Sequence, residues 1–142
     1  MAIRKLDHFS IRTSRLDETK AFYVDVLALT DGPRPPFKFP GAWLYCGTDA
    51  LVHLIGVDPA TTEYLGDKEG ADTIGTGSLD HVAFIASGLS EMRQRLMGAG
   101  TLFRERTVPD LGLHQLFIDD PNGVTIELNY PAEEAREHGA HA

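Results

Sequence analysis

The alternation of apolar and polar positions, broken by clusters of turn residues, sorts this chain into short strands around two helices. Successive side chains point to opposite faces of a strand, so Leu6, His8, Ser10 and Arg12 share one face of a first strand and Phe9 and Ile11 the other. The period then changes. Ala21, Phe22, Val24, Val26 and Leu27 form the apolar stripe of a helix from Leu16 to Leu29, with Asp17 and Glu18 in an opening turn whose dipole favours acids. Strands from Ala42 to Cys46 and Leu51 to Ile55 flank the turn Gly47-Thr48-Asp49-Ala50.

The order then repeats. Leu6-Asp7-His8-Phe9 recurs as Leu79-Asp80-His81-Val82, an offset of 73 positions. Ala83-Phe84-Ile85 follows, then a helix from Leu89 to Ala99 with Ser87 or Ser90 as its cap and Gly98-Ala99-Gly100 as its stop. Leu102 to Val108 reads as a strand. Leu113 to Ile118 and Val124 to Asn129 form a hairpin around Asp119-Asp120-Pro121-Asn122-Gly123. The fold class is α+β, built from two strand-led modules at residues 1–57 and 79–130. Asp31 to Gly41 carries four prolines and is expected to stay irregular. The connection 58–78 is long for a structureless segment and is expected to drape over a module. The tail 131–142 is read as a frayed helix or a disordered end.

Composition narrows the partners. A chain of 142 residues that is 42% hydrophobic affords one domain or two small modules sharing a core. A net charge of -8 argues against nucleic acid and anionic membrane, yet permits a small anionic substrate in a locally basic pocket. No stretch is long enough to span a membrane, and Met1 to Lys5 lacks a signal peptide's apolar core. The single Cys46 cannot form an internal disulfide, which suits a reducing compartment. The reading is a soluble cytoplasmic protein, with Cys46 as a small buried core residue.

Strand parity then isolates the candidate chemistry. His81 shares a face with Ala83, and Val82 and Phe84 take the other. His53 lies with Leu51 and Ile55, opposite Val52 and Leu54. Glu127 lies with Thr125 and Asn129, opposite Ile126 and Leu128. Each module thus offers a histidine on its first strand and a ligand-type residue on its last, and a pseudo-twofold would bring the four together. Two imidazoles and a carboxylate leave open positions on iron, manganese, zinc or nickel, where a substrate with two adjacent oxygens can chelate. Arg12 shares the face of His8 and suits either a substrate carboxylate or phosphate or an edge salt bridge. Phe37, Phe39, Trp43 and Tyr45 read as core that can also wall a pocket. Glu105 and Arg106 read as a solvated strand face, His114 as surface or rim, and His138 and His141 as solvated.

The motifs Leu-Asp-His-Phe at 6–9, Leu-Asp-His-Val at 79–82 and Asp-Pro-Asn-Gly-Val-Thr-Ile-Glu-Leu at 120–128 resemble those of the vicinal oxygen chelate superfamily. That superfamily includes glyoxalase I, methylmalonyl-CoA epimerase, fosfomycin-resistance proteins, extradiol dioxygenases and bleomycin-resistance proteins. The resemblance covers residues 3 to 130. It implies two βαβββ modules forming a cupped mixed sheet around a divalent metal (Fe, Mn, Ni or Zn), with His8, His81 and Glu127 as ligands. His53 stands where glyoxalase I has glutamate and the epimerase glutamine. The implied activity is lyase- or isomerase-type proton transfer on a small chelated substrate, with His53 or Glu127 moving the proton. Arg12 and Phe117 are the candidate substrate contacts. One alternative is an extradiol-type dioxygenase with a His-His-Glu iron site. There Gly112-Leu113-His114 resembles the start of the signature, but Phe117 replaces its tyrosine. Another is a metal-free binding protein of the bleomycin-resistance kind. Members commonly form homodimers, which is the expectation for this chain.

Overall fold

In the computed structural model, residues 1–66 and 75–137 are described, and the chain divides into two compact units, Met1–Thr73 and Ile74–Ala142. The first unit runs β1 (Phe9–Thr13), α1 (Leu16–Ala21), β2 (Thr30–Gly32), β3 (Gly41–Cys46), β4 (Asp49–Gly56) and α2 (Pro59–Leu65). The second runs β5 (Val82–Ile85), α3 (Leu89–Gly98), β6 (Arg104–Val108), β7 (Leu113–Asp119), β8 (Thr125–Pro131) and α4 (Ala132–Glu137). Each unit holds a four-stranded mixed sheet, and the strand orders correspond: β1-β4-β3-β2 and β5-β8-β7-β6. In both, the first strand pairs parallel with the last, Ser10 beside His53 and Ala83 beside Glu127. The chain is therefore α+β, a duplicated βαβββ arrangement with neither sheet closed.

The alternation read from the sequence sorts the two faces of each sheet. In the first unit Ile11, Ala42, Leu44, Val52 and Leu54 are buried with Phe22 and Tyr23. In the second, Leu116, Ile118, Ile126, Leu128 and Tyr130 are buried with Leu89 and Leu96 of α3. The opposite faces carry the polar and ligand-type side chains. Asp120 sets the β7–β8 turn, its Oδ1 accepting from the backbone N–H groups of Asn122 and Val124 at 2.8 and 2.9 Å. Gly123 meets the positive φ (82°) that this turn demands.

Several expectations are corrected. The first helix is regular only to Ala21. Phe22–Val26 widens into a π-helical turn, and Ala28 ends it with a φ of 66°. Part of the proline-rich stretch pairs as β2, against Trp43 to Tyr45. Part of the connection forms α2, which Asp58 caps by accepting from the Ala60 N–H at 2.8 Å, with Pro59 at the first helical position. Residues 67–74 lie outside the described residues. Cys46 is exposed rather than buried, because β3 ends there at the hairpin turn.

Neither Ser87 nor Ser90 caps α3. The carboxylate of Glu134, on α4, accepts from the backbone N–H groups of Gly88 and Leu89 at 3.0 and 2.9 Å. The start of the tail is thus an ordered helix that closes α3, with Ala132 and Ala135 buried. Residues 138–142, with His138 and His141, lie outside the described residues. Replacing Glu134 by alanine removes the cap of α3 and is expected to lower unfolding stability by about 1–2 kcal/mol, read by chemical denaturation.

His114 is also corrected. It is buried, not at a rim, because parity turns it toward α3. Its ring bonds Thr107 Oγ1 at 2.8 Å and Glu105 Oε1 at 2.7 Å, and Arg93 of α3 pairs with the same carboxylate. Burial works to raise the Glu105 carboxyl, but Arg93 and His114 outweigh it and hold it below the usual carboxylate range. Glu105 and Arg106 are both exposed, but on opposite faces of β6. Glu105 points to the helix side, and Arg106 to the side of Glu127.

Candidate functional site

The ligand-type residues come together as two pairs, one in each unit. In the first, His8 precedes β1 and His53 sits on β4. Their rings stack at 3.7 Å between centroids with an interplanar angle of 11°. Trp43, opposite His53 on β3, stacks on its other side at 4.0 Å. His53 Nε2 lies 3.1 Å from the Ala50 carbonyl. A carbonyl only accepts, so Nε2 carries the hydrogen and Nδ1 keeps its lone pair. Burial first, then the neighbouring His8, push the His53 pKa below the ordinary imidazole value. The lowered pKa favours the neutral form of this imidazole.

In the second unit His81 Nε2 lies 3.3 Å from Glu127 Oε1. The other carboxylate oxygen is the end of a relay. Arg106 Nε donates to Gln115 Oε1 at 2.8 Å, Gln115 Nε2 to Asn129 Oδ1 at 2.9 Å, and Asn129 Nδ2 to Glu127 Oε2 at 2.8 Å. Arginine only donates and a carboxylate only accepts, so the two amides between them are held in one orientation. Glu127 itself is buried.

One feature recurs in both units. His8 Nδ1 bonds Asp7 at 2.6 Å, and His81 Nδ1 bonds Asp80 at 2.8 Å. A carboxylate on Nδ1 fixes the tautomer that leaves Nε2 available as a metal ligand. The donors in the second unit fit a divalent ion in spacing too. Metal bonds of about 2.1 Å put two ligand atoms of one ion roughly 3 Å apart, close to the separation of His81 and Glu127. His53 does not fit as a partner of His8 on one ion, since lone pairs lie in the ring planes and these rings are nearly parallel. Among the described residues, no three His, Cys, Asp or Glu side chains gather into a metal-binding group.

Around the first pair lies a cavity of about 570 Å³, lined by His8, His53, Trp43, Tyr45, Phe37 and Phe39 among others. The aromatic residues thus wall a pocket, with Phe39 also buried. Arg12 Nη1 donates to the Gly66 carbonyl at 3.2 Å, tying β1 to the end of α2. Phe117 pairs with Glu127 across β7 and β8. Asp7, Asp80, Gln115 and Asn129 join the site beyond the residues that the sequence singles out. The aspartates had left a signal, since they recur in both Leu-Asp-His copies. Asn129 had left one too, by parity with Glu127.

Residues 5–128 match the model of the Glyoxalase/Bleomycin resistance protein/Dioxygenase superfamily. The chain belongs to this superfamily. No curated protein matches the sequence. Among solved structures, it is similar to a lactoylglutathione lyase from Agrobacterium tumefaciens, at 20% identity and a TM-score of 0.63, covering 94% of this chain and 98% of that one. An antibiotic binding protein from Streptomyces sp. CB03234 is similar at 22% identity and a TM-score of 0.65, covering 92% and 98%. A glyoxylase/bleomycin resistance protein/dioxygenase domain from Frankia sp. EAN1pec is similar at 19% identity and a TM-score of 0.67, covering 92% and 99%. At these identities the likeness carries the fold. The superfamily holds both enzymes and small-molecule binders. No helix among the described residues is long and apolar enough to cross a membrane.

Proposed function

We propose that this member of the superfamily is a divalent-metal-dependent lyase or isomerase. His8, His81 and Glu127 hold the metal, and His53 moves a proton on a small substrate that chelates through two adjacent oxygens. When bound, the metal (Fe, Mn, Ni or Zn) supplies Lewis-acid stabilisation of the negative charge left when a proton departs the carbon beside a carbonyl. The other steps belong to the chain. Asp7 and Asp80 orient the two imidazoles. Asn129 holds Glu127 in place through its bond to Oε2. Arg12 and Phe117 contact the substrate.

The observation that carries this reading is the state of His53. Its Nε2 hydrogen is spent on Ala50, its Nδ1 lone pair is open, and its pKa is lowered. That is the condition of a general base, which takes the proton on Nδ1 and returns it. Oxygenation by the extradiol route has less support, since Phe117 lacks a hydroxyl and His114 is buried against α3. A metal-free binding role has one observation in its favour, the aromatic cavity of the first unit. Metal analysis of the purified protein, with proton–deuterium exchange at carbon followed by NMR on dihydroxyacetone, tests the proposal. Stoichiometric metal and exchange that a chelator abolishes are expected. A protein that retains no metal, and gains no exchange with added Fe, Mn, Ni or Zn, would overturn it in favour of binding.

A further inference from the structure

On the open face of the second sheet, one cross-strand row runs through Ala83, Glu127, Phe117 and Arg104. Next to it runs another, through Ile85, Asn129, Gln115 and Arg106. The rows end on two exposed arginines of β6, whose guanidinium carbons lie 4.9 Å (Arg104) and 5.5 Å (Arg106) from the centre of the Phe117 ring. Neither arginine has an acidic partner among the described residues. Arg106 spends only its Nε, on Gln115. Two like charges over one ring repel each other and gain from a shared anion. Phe117 props both planes by cation–π contact and leaves their donor edges to solvent.

We propose that Arg104 and Arg106 form an oxyanion-binding site for a carboxylate or phosphate at the far end of the substrate from its chelating oxygens. The proposal rests on the metal-centred reading given above and names the substrate class, an organic acid with a distal anionic group. Strands lie about 4.8 Å apart, so two strand spacings put Arg104 roughly 10 Å from Glu127 at the backbone. That is the span of a medium-length organic acid. β6 is an edge strand, and edges often carry charge simply to discourage pairing with other chains. A charge placed for that purpose needs neither an aromatic prop nor a relay ending at Glu127. On a chain of net charge -8, a cation pair on this face is also against the general trend.

The test begins with metal-free protein and inorganic phosphate. Saturable NMR shifts of the Arg104 and Arg106 Nε–H signals are expected, and their loss in Arg104→Gln, a variant that spares the relay through Arg106. Absence of a saturable shift overturns the site. Metal-loaded protein is then compared with α-oxosuberate and α-oxooctanoate, which share chain length and differ in the terminal carboxylate. The dianion should bind about tenfold tighter, as a charge-assisted bond of about 1.5 kcal/mol implies, and Arg104→Gln should erase the difference. Equal affinity for the two acids in the unaltered protein overturns the assignment to substrate. Phosphate binding at the arginines with no binding of either oxo acid leaves the oxyanion site standing and defeats the chelation reading instead.

Discussion

Replacing His53 by alanine should slow metal-dependent proton exchange at carbon by about 10²–10⁴-fold, the range a positioned general base contributes. Metal content should be unchanged, because the stacked geometry gives His53 no place on an ion proposed to be held by His8. A loss of metal along with exchange would make His53 a ligand and reverse its role. The pH profile follows from the same environment. Burial and His8 lower the His53 pKa, and the base acts in its neutral form. The rate should therefore be level through neutrality and fall on acidification only below the ordinary imidazole value. His53→Gln keeps a hydrogen-bonding side chain without a titrating nitrogen. It should lose both the rate and the acid limb.

Replacing Glu127 by alanine should weaken divalent-metal binding by more than 100-fold, since the loss of an outer-sphere partner alone costs about 10–100-fold. Removing the partner itself, with Asn129→Ala, should fall in that lower range, because Glu127 remains but loses the bond that fixes Oε2. Competitive titration against a chromophoric chelator measures both. Equal effects from the two changes would mean that Glu127 is not a ligand. Thermal unfolding of the metal-free variants separates this from damage to the fold, since His81 is exposed and Glu127, though buried, lies on the sheet face opposite the apolar core.

Much of this was legible in the sequence, for a physical reason. A strand forces alternation, so His53 on β4 and Glu127 on β8 declare their faces, while His8 and His81 stand one residue before β1 and β5; the repeated Leu-Asp-His declares the duplication. The Asp-Pro-Asn-Gly turn was readable because its bonds are local, Asp120 to residues two and four further on. What stayed hidden depends on distant partners. Glu134 caps α3 from 46 residues away, a contact that no local pattern announces. Arg106, Gln115 and Asn129 lie on three different strands, and their relay exists only once the register is set. His114 reads as solvated in the sequence because polar residues on a helix-facing side look exposed until Glu105 and Arg93 satisfy them. The cap of α2 is a different case. Asp58 followed by Pro59 is a local helix-start signal, and the length of the connection obscured it.

The ring stack in the first unit has an optical consequence. Trp43 is the only tryptophan of the chain, and its indole lies flat against His53. A protonated imidazole quenches a stacked indole more strongly than a neutral one, so the protein's ultraviolet emission is a built-in gauge of the charge on its proposed base. Emission should dim as acid titrates His53. The protonation of His53 can thus be followed in one cuvette without a label.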